Sequence, residues 1–469
     1  MSTGPQPGTL GRRPHAGSLL AIWVVLLIVI PSALVVAPLG SAGSPAQLVG
    51  LVAGAWWLAY QVQRSRARLT PSEPTRTAMA VFAAAMIVSY IAATTRPIEA
   101  IELSAADRGL LVILSLWGIT LLTTDGLVSR ENLDTLLRLL TWLTAVAATV
   151  GILQYVTGAT IVDRIDIPGL SANKEIIGSL SRNGFDRVLG TSMHPIEFGM
   201  LLATVLPIAL HYASRDTDRA RWKRYTPVVL ICAALPLTMS RSAVLGVVVL
   251  LLVLFPTWSK RQRLVALTGV LVGTCVVYVA VPGMVGTMIR LFTGISGDSS
   301  ALSRTDSYSL ALQFVSRAPI TGRGLSTFLP TYRILDNQYL GTLVGSGILG
   351  LGALVALIVT VLVQARRMSH RLENPVDRGL ARALMATVAA GAVACATFDA
   401  FGFPQTAGTF FFAIGCIGAL HRHTARPAGV QPGDPHALAG RPPAELAEAS
   451  STTASPSPAA VPAHLQARA

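Results

Sequence analysis

The chain has 469 residues, of which 52% are hydrophobic and 13% charged, and its 37 Lys and Arg against 23 Asp and Glu leave a net charge of +14. A soluble globular domain carries about 25% charged residues and a disordered chain is polar, so both classes are excluded. With a mean hydropathy of +0.57 and a pI of 10.4, the composition specifies a polytopic membrane protein.

Twelve apolar runs are long enough, or nearly so, to cross ~30 Å of hydrocarbon as helices. They cover about 19–39, 45–62, 77–94, 108–124, 137–157, 194–212, 226–239, 242–257, 264–281, 337–363, 380–397 and 408–420. The first and the tenth are the clearest. The seventh and eighth are short and separated only by Ser240-Arg241, so one long broken helix is the alternative. The first run is too long for the apolar part of a signal peptide and lacks a convincing cleavage site, so it reads as a retained span behind a cytoplasmic lead, residues 1–18. Residues 421–469, rich in Ala and Pro, are expected to form a disordered cytoplasmic tail. The transmembrane domain is thus 19–420, with no internal repeat.

Dense basic clusters follow even-numbered runs: Arg64, Arg66, Arg68 and Arg76; Arg215, Arg219, Arg221, Lys223 and Arg224; Lys260, Arg261 and Arg263; Arg366, Arg367, Arg371 and Arg378. By the positive-inside rule these exits, and both termini, face the cytoplasm. A single seventh helix would put the later clusters outside, so the charge pattern predicts two helices turning at Arg241. Nucleic acid is not an expected partner, because no basic stripe lies on a soluble face. Cys232, Cys275, Cys395 and Cys416 lie far apart in apolar runs, which indicates neither a disulfide framework nor a metal site; they read as small buried hydrophobes.

Two outer loops are long, 158–193 and 282–336, and long loops are where a membrane protein can build an exterior site. The second carries Arg290, Arg304, Arg317, Arg323 and Arg333 against Asp298, Asp306 and Asp336, an excess that asks for an anionic partner. Within it a short amphipathic helix is expected, with Tyr308, Ala311, Leu312 and Val315 on one face. Gly322 and Gly324 flank Arg323, a turn that either lets backbone approach a ligand or is a plain turn.

Four further positions could carry chemistry. His194 opens the sixth run beside Pro195, with Glu197 one turn in; an ionisable group there is costly and suggests function, or is a first-turn acid favoured by the helix dipole. Arg241 at the outer surface is either a bidentate phosphate ligand or a snorkelling helix-end residue. Asp336, before Asn337, Gln338 and Tyr339, is either an N-cap or a general base. Walker A, HExxH, dinucleotide-fingerprint and GxSxG patterns are missing from the sequence, so chemistry is expected in or on the membrane without ATP or a built-in cofactor.

Taken together, Thr191-Ser192-Met193-His194-Pro195-Ile196-Glu197-Phe198-Gly199, the Ser240-Arg241-Ser242-Ala243 turn, Arg304 through Arg323-Gly324, and Asp336-Asn337-Gln338-Tyr339-Leu340 followed by Gly345-Ser346-Gly347 resemble motifs of the O-antigen ligase/polymerase superfamily. The resemblance is best over about 190–360. It implies an all-α, GT-C-like protein of about twelve transmembrane helices in the bacterial cytoplasmic membrane, with a long extracytoplasmic loop between spans nine and ten. It further implies metal-independent, inverting glycosyl transfer from a glycan on undecaprenyl diphosphate, alongside other polysaccharide assembly proteins. On that resemblance Arg241 and Arg304, then Arg323 and Arg290, would bind the diphosphate; Asp336 or Glu197 would act as base; and His194, Asn337 and Tyr339 would contact substrate. Ligases of the family commonly show His-Asn where this chain has Asp336-Asn337, which favours polymerisation of a surface polysaccharide over ligation to an envelope acceptor. A lipid transporter is the competing class; neither repeated halves nor paired broken helices at mid-membrane are evident in the sequence to support it.

Overall fold

The computed structural model describes residues 16–63, 73–160, 165–173, 181–182, 184–293 and 299–425, without the side chains of 182, 291–292 and 299–307. Most of the expected lead, Arg64, Arg66, Arg68, Asp298 and nearly all of the expected tail lie outside the described residues. In chain order the helices are α1 (Ala16–Val29), α2 (Pro45–Gln63), α3 (Pro74–Thr94), α4 (Ala100–Gly126), α5 (Arg130–Thr157), α6 (Pro195–Arg215), α7 (Arg221–Leu237), α8 (Arg241–Leu254), α9 (Lys260–Ala280), α10 (Met284–Thr293), α11 (Ser299–Arg317), α12 (Gln338–Arg371), α13 (Pro375–Thr397) and α14 (Pro404–Thr424). Seven of them, α3, α4, α5, α6, α9, α12 and α13, are long and apolar enough to cross a membrane by length and composition. The protein is therefore a mostly helical polytopic membrane protein.

Each predicted apolar run contains a helix, but the first is shorter than expected. Helix α1 stops at Val29, and the chain turns at Pro31 and Ser32. Leu34–Val35 (β1) then pairs antiparallel with Ser171–Ala172 (β2). A second ladder joins Ser181–Arg182 (β3) to Phe185–Asp186 (β4). Residues 30–36 are not helical, and of these Leu34 and Val35 are buried in the strand pair; a 3-10 helix, Ala37–Gly43, follows. The short final run forms α14, in which every residue from Pro404 to Leu420 is buried. A helix that is apolar all round belongs inside a bundle, and Thr120 of α4 donates to its Phe411 carbonyl at 3.2 Å. Helices α7 and α8 are separate, as the charge pattern predicts; Ser240 caps α8 by accepting from the Ala243 amide at 3.3 Å. Cys395 and Cys416 are buried, whereas Cys232 and Cys275 are exposed on apolar helix faces, contrary to expectation.

The expected helix in the loop before α12 is α11, but its packed face differs. Ala311, with Phe314 and Val315, meets Leu340 and Val344 of α12, while Tyr308 and Leu312 are exposed. One neighbouring helix needs only a narrow i, i+3, i+4 stripe, and Phe314 fills it better than Leu312.

Helix α12 is broken at Gly347, whose φ of 63° and ψ of −165° are not helical. The break leaves amides and carbonyls without intrahelical partners, which is costly away from water. The loop segment 319–324 satisfies them. Arg323 and Gly324 amides donate to the Val344 and Gly345 carbonyls at 2.9 and 2.8 Å, and Ile348 and Leu349 amides donate to the Pro319 and Ile320 carbonyls at 2.9 and 3.1 Å. Backbones this close admit no side chain. A Cβ on Gly347 would lie 2.3 Å from the Ile320 oxygen, and one on Gly322 would lie 2.3 Å from the Gly345 oxygen.

Gly347→Ala is expected to lose about 1–3 kcal/mol from backbone conformation alone, with the steric clash in addition. Gly352→Ala, on the same helix with nothing within 4 Å of the added carbon, should be neutral or gain about 0.5–1 kcal/mol. Thermal unfolding in detergent compares them; equal midpoints would mean that the break does not depend on this contact.

Candidate active site at one end of the helix bundle

Three non-glycine residues have a left-handed backbone among those described: Met239 (φ 48°), Ser326 (φ 57°) and Asp336 (φ 47°). They fall in three turns singled out by sequence: before Arg241, after Arg323-Gly324, and before Asn337. Such conformations cost about 1–3 kcal/mol each and persist where the surroundings over-determine them. All three turns lie at the same end of the bundle as the start of α6.

At that start, Glu197 is fully buried. It accepts from Ser32 Oγ at 2.7 Å, from the Met193 amide at 3.0 Å and from the Gln405 amide at 2.7 Å. Gln405 in turn reaches Thr191, and Thr191 Oγ1 donates to the Ile28 carbonyl at 2.6 Å. The network ties the end of α1, the start of α6 and the start of α14 into one knot. Met193 through Glu197 therefore reads as a fastening whose acceptor oxygens are already engaged. His194 caps α6 through Nδ1, which accepts from the Ile196 amide at 3.1 Å, and its ring lies 5.9 Å from that of Phe403. Burial, then the positive charge of Arg187, lower its pKa to about 4, so it is neutral near pH 7.

The turn between α7 and α8, which leads into Arg241, also receives Arg187, a contact the sequence did not signal. Arg187, 8% exposed, donates from Nε to the Thr238 carbonyl at 3.0 Å, three residues before Arg241. Arg187 is one of three arginines in the long 158–193 loop, with Arg164 and Arg182, and no spacing marks it out from them. Arg187 and Arg241 suit an anion with several oxygens.

Arg323 is engaged elsewhere. Its guanidinium pairs with Glu102 of α4 and lies 5.4 Å from the ring centres of both Phe314 and Tyr332. Glu102 also accepts from Tyr332 Oη at 2.7 Å and from Arg96 at 3.4 Å, and Arg96 Nε donates to the Arg323 carbonyl at 3.1 Å. Against its expected role as a diphosphate ligand, Arg323 clasps the outer loop to α3 and α4, with its charge already met. Arg290 is exposed in the last turn of α10. Arg304 lies on α11, its side chain outside the described residues.

The start of α12 also differs from expectation. Asn337, not Asp336, is the N-cap: its Oδ1 accepts from the Leu340 amide at 3.1 Å, and its Nδ2 donates to Tyr308 Oη at 3.2 Å. Tyr339 is likewise a tether, its hydroxyl donating to the Ala392 carbonyl at 2.8 Å. Asp336 is thereby relieved of the capping role. The turn after α13 docks on this segment, with the Gln338 amide donating to the Phe398 carbonyl at 3.2 Å and the Phe401 amide to Gln338 Oε1 at 2.9 Å. The docking brings in Asp399, whose side chain is solvent-accessible although protein crowds round it. That crowding, and then the negative charge of Asp336, raise the Asp399 carboxyl to about 6, against the Gly402 amide, which acts the other way. Two carboxylates thus share one region, and Asp399, 63 residues after Asp336, was invisible to local motif reading. Its only sequence signal was an acid at the end of an apolar run.

Glu102→Gln should weaken the clasp by more than the ~1 kcal/mol of an exposed pair and by less than the 3–5 kcal/mol or so of a fully buried one, because Arg323 is 26% exposed and Glu102 only 3%. Limited proteolysis within 318–336 reports it; an unchanged cleavage rate would mean that the backbone contacts with α12 hold the loop alone.

Residues 226–355 match the family model described as O-antigen ligase. No curated protein is matched by the chain. The matched segment runs from α7 into α12 and includes Arg241, Arg290, Arg304, Arg323 and Asp336 through Tyr339, whereas Arg187, Glu197 and Asp399 lie outside it. Over this segment, a little over a quarter of the chain, the protein is similar to the O-antigen ligase family, which supports a place in the O-antigen ligase/polymerase superfamily and implies a glycosyltransferase-type enzyme.

Proposed function

We propose that the protein polymerises undecaprenyl-diphosphate-linked oligosaccharide repeats into a surface polysaccharide at the outer face of the cytoplasmic membrane, crossing it twelve times with both termini inside. The observation that carries this reading is the convergence, at the bundle end opposite the basic clusters, of a two-arginine turn and a carboxylate pair. One set suits a diphosphate leaving group, the other an acceptor hydroxyl.

In the proposed reaction the Asp336–Asp399 pair takes the proton of the acceptor hydroxyl. The freed oxygen attacks the anomeric carbon from the face opposite the diphosphate, the C1–O bond to the diphosphate breaks, and its electron pair leaves with that group. Arg241 and Arg187 meet the developing charge, which fixed guanidinium donors can do without reorganising. Arg304 and Arg290 are second-rank ligands of the diphosphate. Arg323, Glu197, His194, Asn337 and Tyr339 are positioning residues. Transfer of a finished glycan to an envelope acceptor is the second reading, favoured by the description of the matching family.

The protein in liposomes, supplied with host lipid-linked glycan, tests this. A ladder of lengthening lipid-linked products supports polymerisation; one transfer to another acceptor supports ligation; movement of intact donor between leaflets without product would replace both with transport. Asp336→Asn keeps a residue that tolerates a left-handed backbone, and it and Asp399→Asn should each lower turnover by about 10²–10⁴-fold. The acid limb of kcat/KM should lie near pH 6, because a base is lost as it protonates and Asp399 is raised to about 6. In Asp336→Asn the residual activity should show that limb at lower pH, since a repelling negative charge is gone. Full activity in both variants would move the base elsewhere. Arg241→Lys keeps the charge but loses bidentate geometry, and should fall well below wild-type turnover.

A further inference from the structure

At the other end of the bundle, α6, α8, α9 and α13 enclose an open cleft of about 450 Å³. Its polar lining includes Arg215, Arg382, His211 and Gln262, and its apolar lining includes Leu254 and Trp258; no carboxylate lines it. The guanidinium of Arg215 has no acid partner among the described residues. Arg382 donates to the Ser369 carbonyl at 3.3 Å, and the charges that act on it are those of Arg378 and Arg215, both positive. Asp377, the nearest acid in sequence, is committed to Arg130 at 2.8 Å.

The unused groups are donors. Gln262 spends its carbonyl on Ser259, which leaves its amide NH₂. His211 is 6% exposed, and its Nε2 is buried without a partner. Ser214 and Thr257 already donate to helix carbonyls. A neighbouring cleft between α5, α6 and α7 shows the contrast. It too is rich in Arg and Lys, but Asp216 accepts both arms of Arg138, at 2.8 and 2.6 Å, and lies 3.6 Å from Arg219. Charge is balanced there and unbalanced in the α6–α8–α9–α13 cleft, where an anion would lower the repulsion between guanidinium groups and satisfy the buried imidazole.

We infer that this cleft binds the phosphate of an anionic phospholipid headgroup. A lipid rather than a soluble phosphate is favoured because α9 rises from the cleft with its apolar side chains uncovered. Leu264, Val265, Leu267 and Leu271 are each more than half exposed, a surface for acyl chains beside a cationic pocket.

Trp258 gives a direct readout. The full-length protein is reconstituted in phosphatidylcholine nanodiscs doped with brominated phosphatidylglycerol or, at equal mole fraction, brominated phosphatidylcholine. The Trp258 signal is the difference between wild type and Trp258→Phe. Quenching by the anionic lipid should exceed that by the neutral lipid several-fold. The preference should vanish in the Arg215→Gln/Arg382→Gln variant and persist in Arg371→Gln, at the exposed end of α12. Equal quenching by the two lipids in wild type overturns the proposal without any variant. Loss of the preference on adding inorganic phosphate, but not chloride at the same ionic strength, would show a soluble-phosphate site and overturn the lipid assignment.

Discussion

A polypeptide in hydrocarbon has to satisfy its own backbone, and the candidate-site end of this molecule is arranged around one place where a helix does not. Helix α12 opens at Gly347, and the turn segment Pro319–Gly324 closes the gap by exchanging four hydrogen bonds with it. That exchange fixes the loop between α9 and α12 to the bundle, puts Arg323 within reach of Glu102 and sets the direction in which α12 begins. The position of Asp336 and Asn337 follows from it.

A second fastening acts from the other side. Glu197 gathers three donors from three distant parts of the chain and leaves no polar group of its own unpaired. A buried carboxylate with this many donors orients helix ends as a cap does, at long range. The residues that look most expensive in the sequence, an acid in a membrane helix and a guanidinium in a glycine turn, are thus stabilisers of geometry. The residues the proposed reaction adds to the site, Arg187 and Asp399, are ones with ordinary local sequence. Under the proposed function a cationic turn and a carboxylate pair are complementary in chemistry, and the two fastenings hold both at one end of the bundle.

The distribution of charge divides the molecule. At one end arginines are compensated, as in Arg138–Asp216 and Arg130–Asp377, or clustered beside the cleft proposed to bind an anionic lipid. At the other, Arg323 is paired with Glu102, and Arg187 reaches the turn that leads into Arg241. The same residue type is therefore a topological marker at one end and a candidate reagent at the other, and only its partners distinguish the two.

The sequence by itself determined the class of the protein, the presence of a helix in each apolar run, the division of α7 from α8 and the turns that matter, because hydropathy, basic clustering and glycine act locally along the chain. It misjudged the first span, since apolar residues such as Leu34 and Val35 can be buried without being helical. It left Asp336 open between a cap and a base, and the cap falls to Asn337, since either residue can accept from a helix amide and only the backbone angle chooses between them. What the tertiary structure alone decided was pairing over distance: Glu102 with Arg323, Ser32 with Glu197, Arg187 beside the Arg241 turn and Asp399 beside Asp336. Those contacts join residues up to 221 positions apart, and no periodicity or spacing encodes them, because they depend on which helix ends the packing of the buried core brings together.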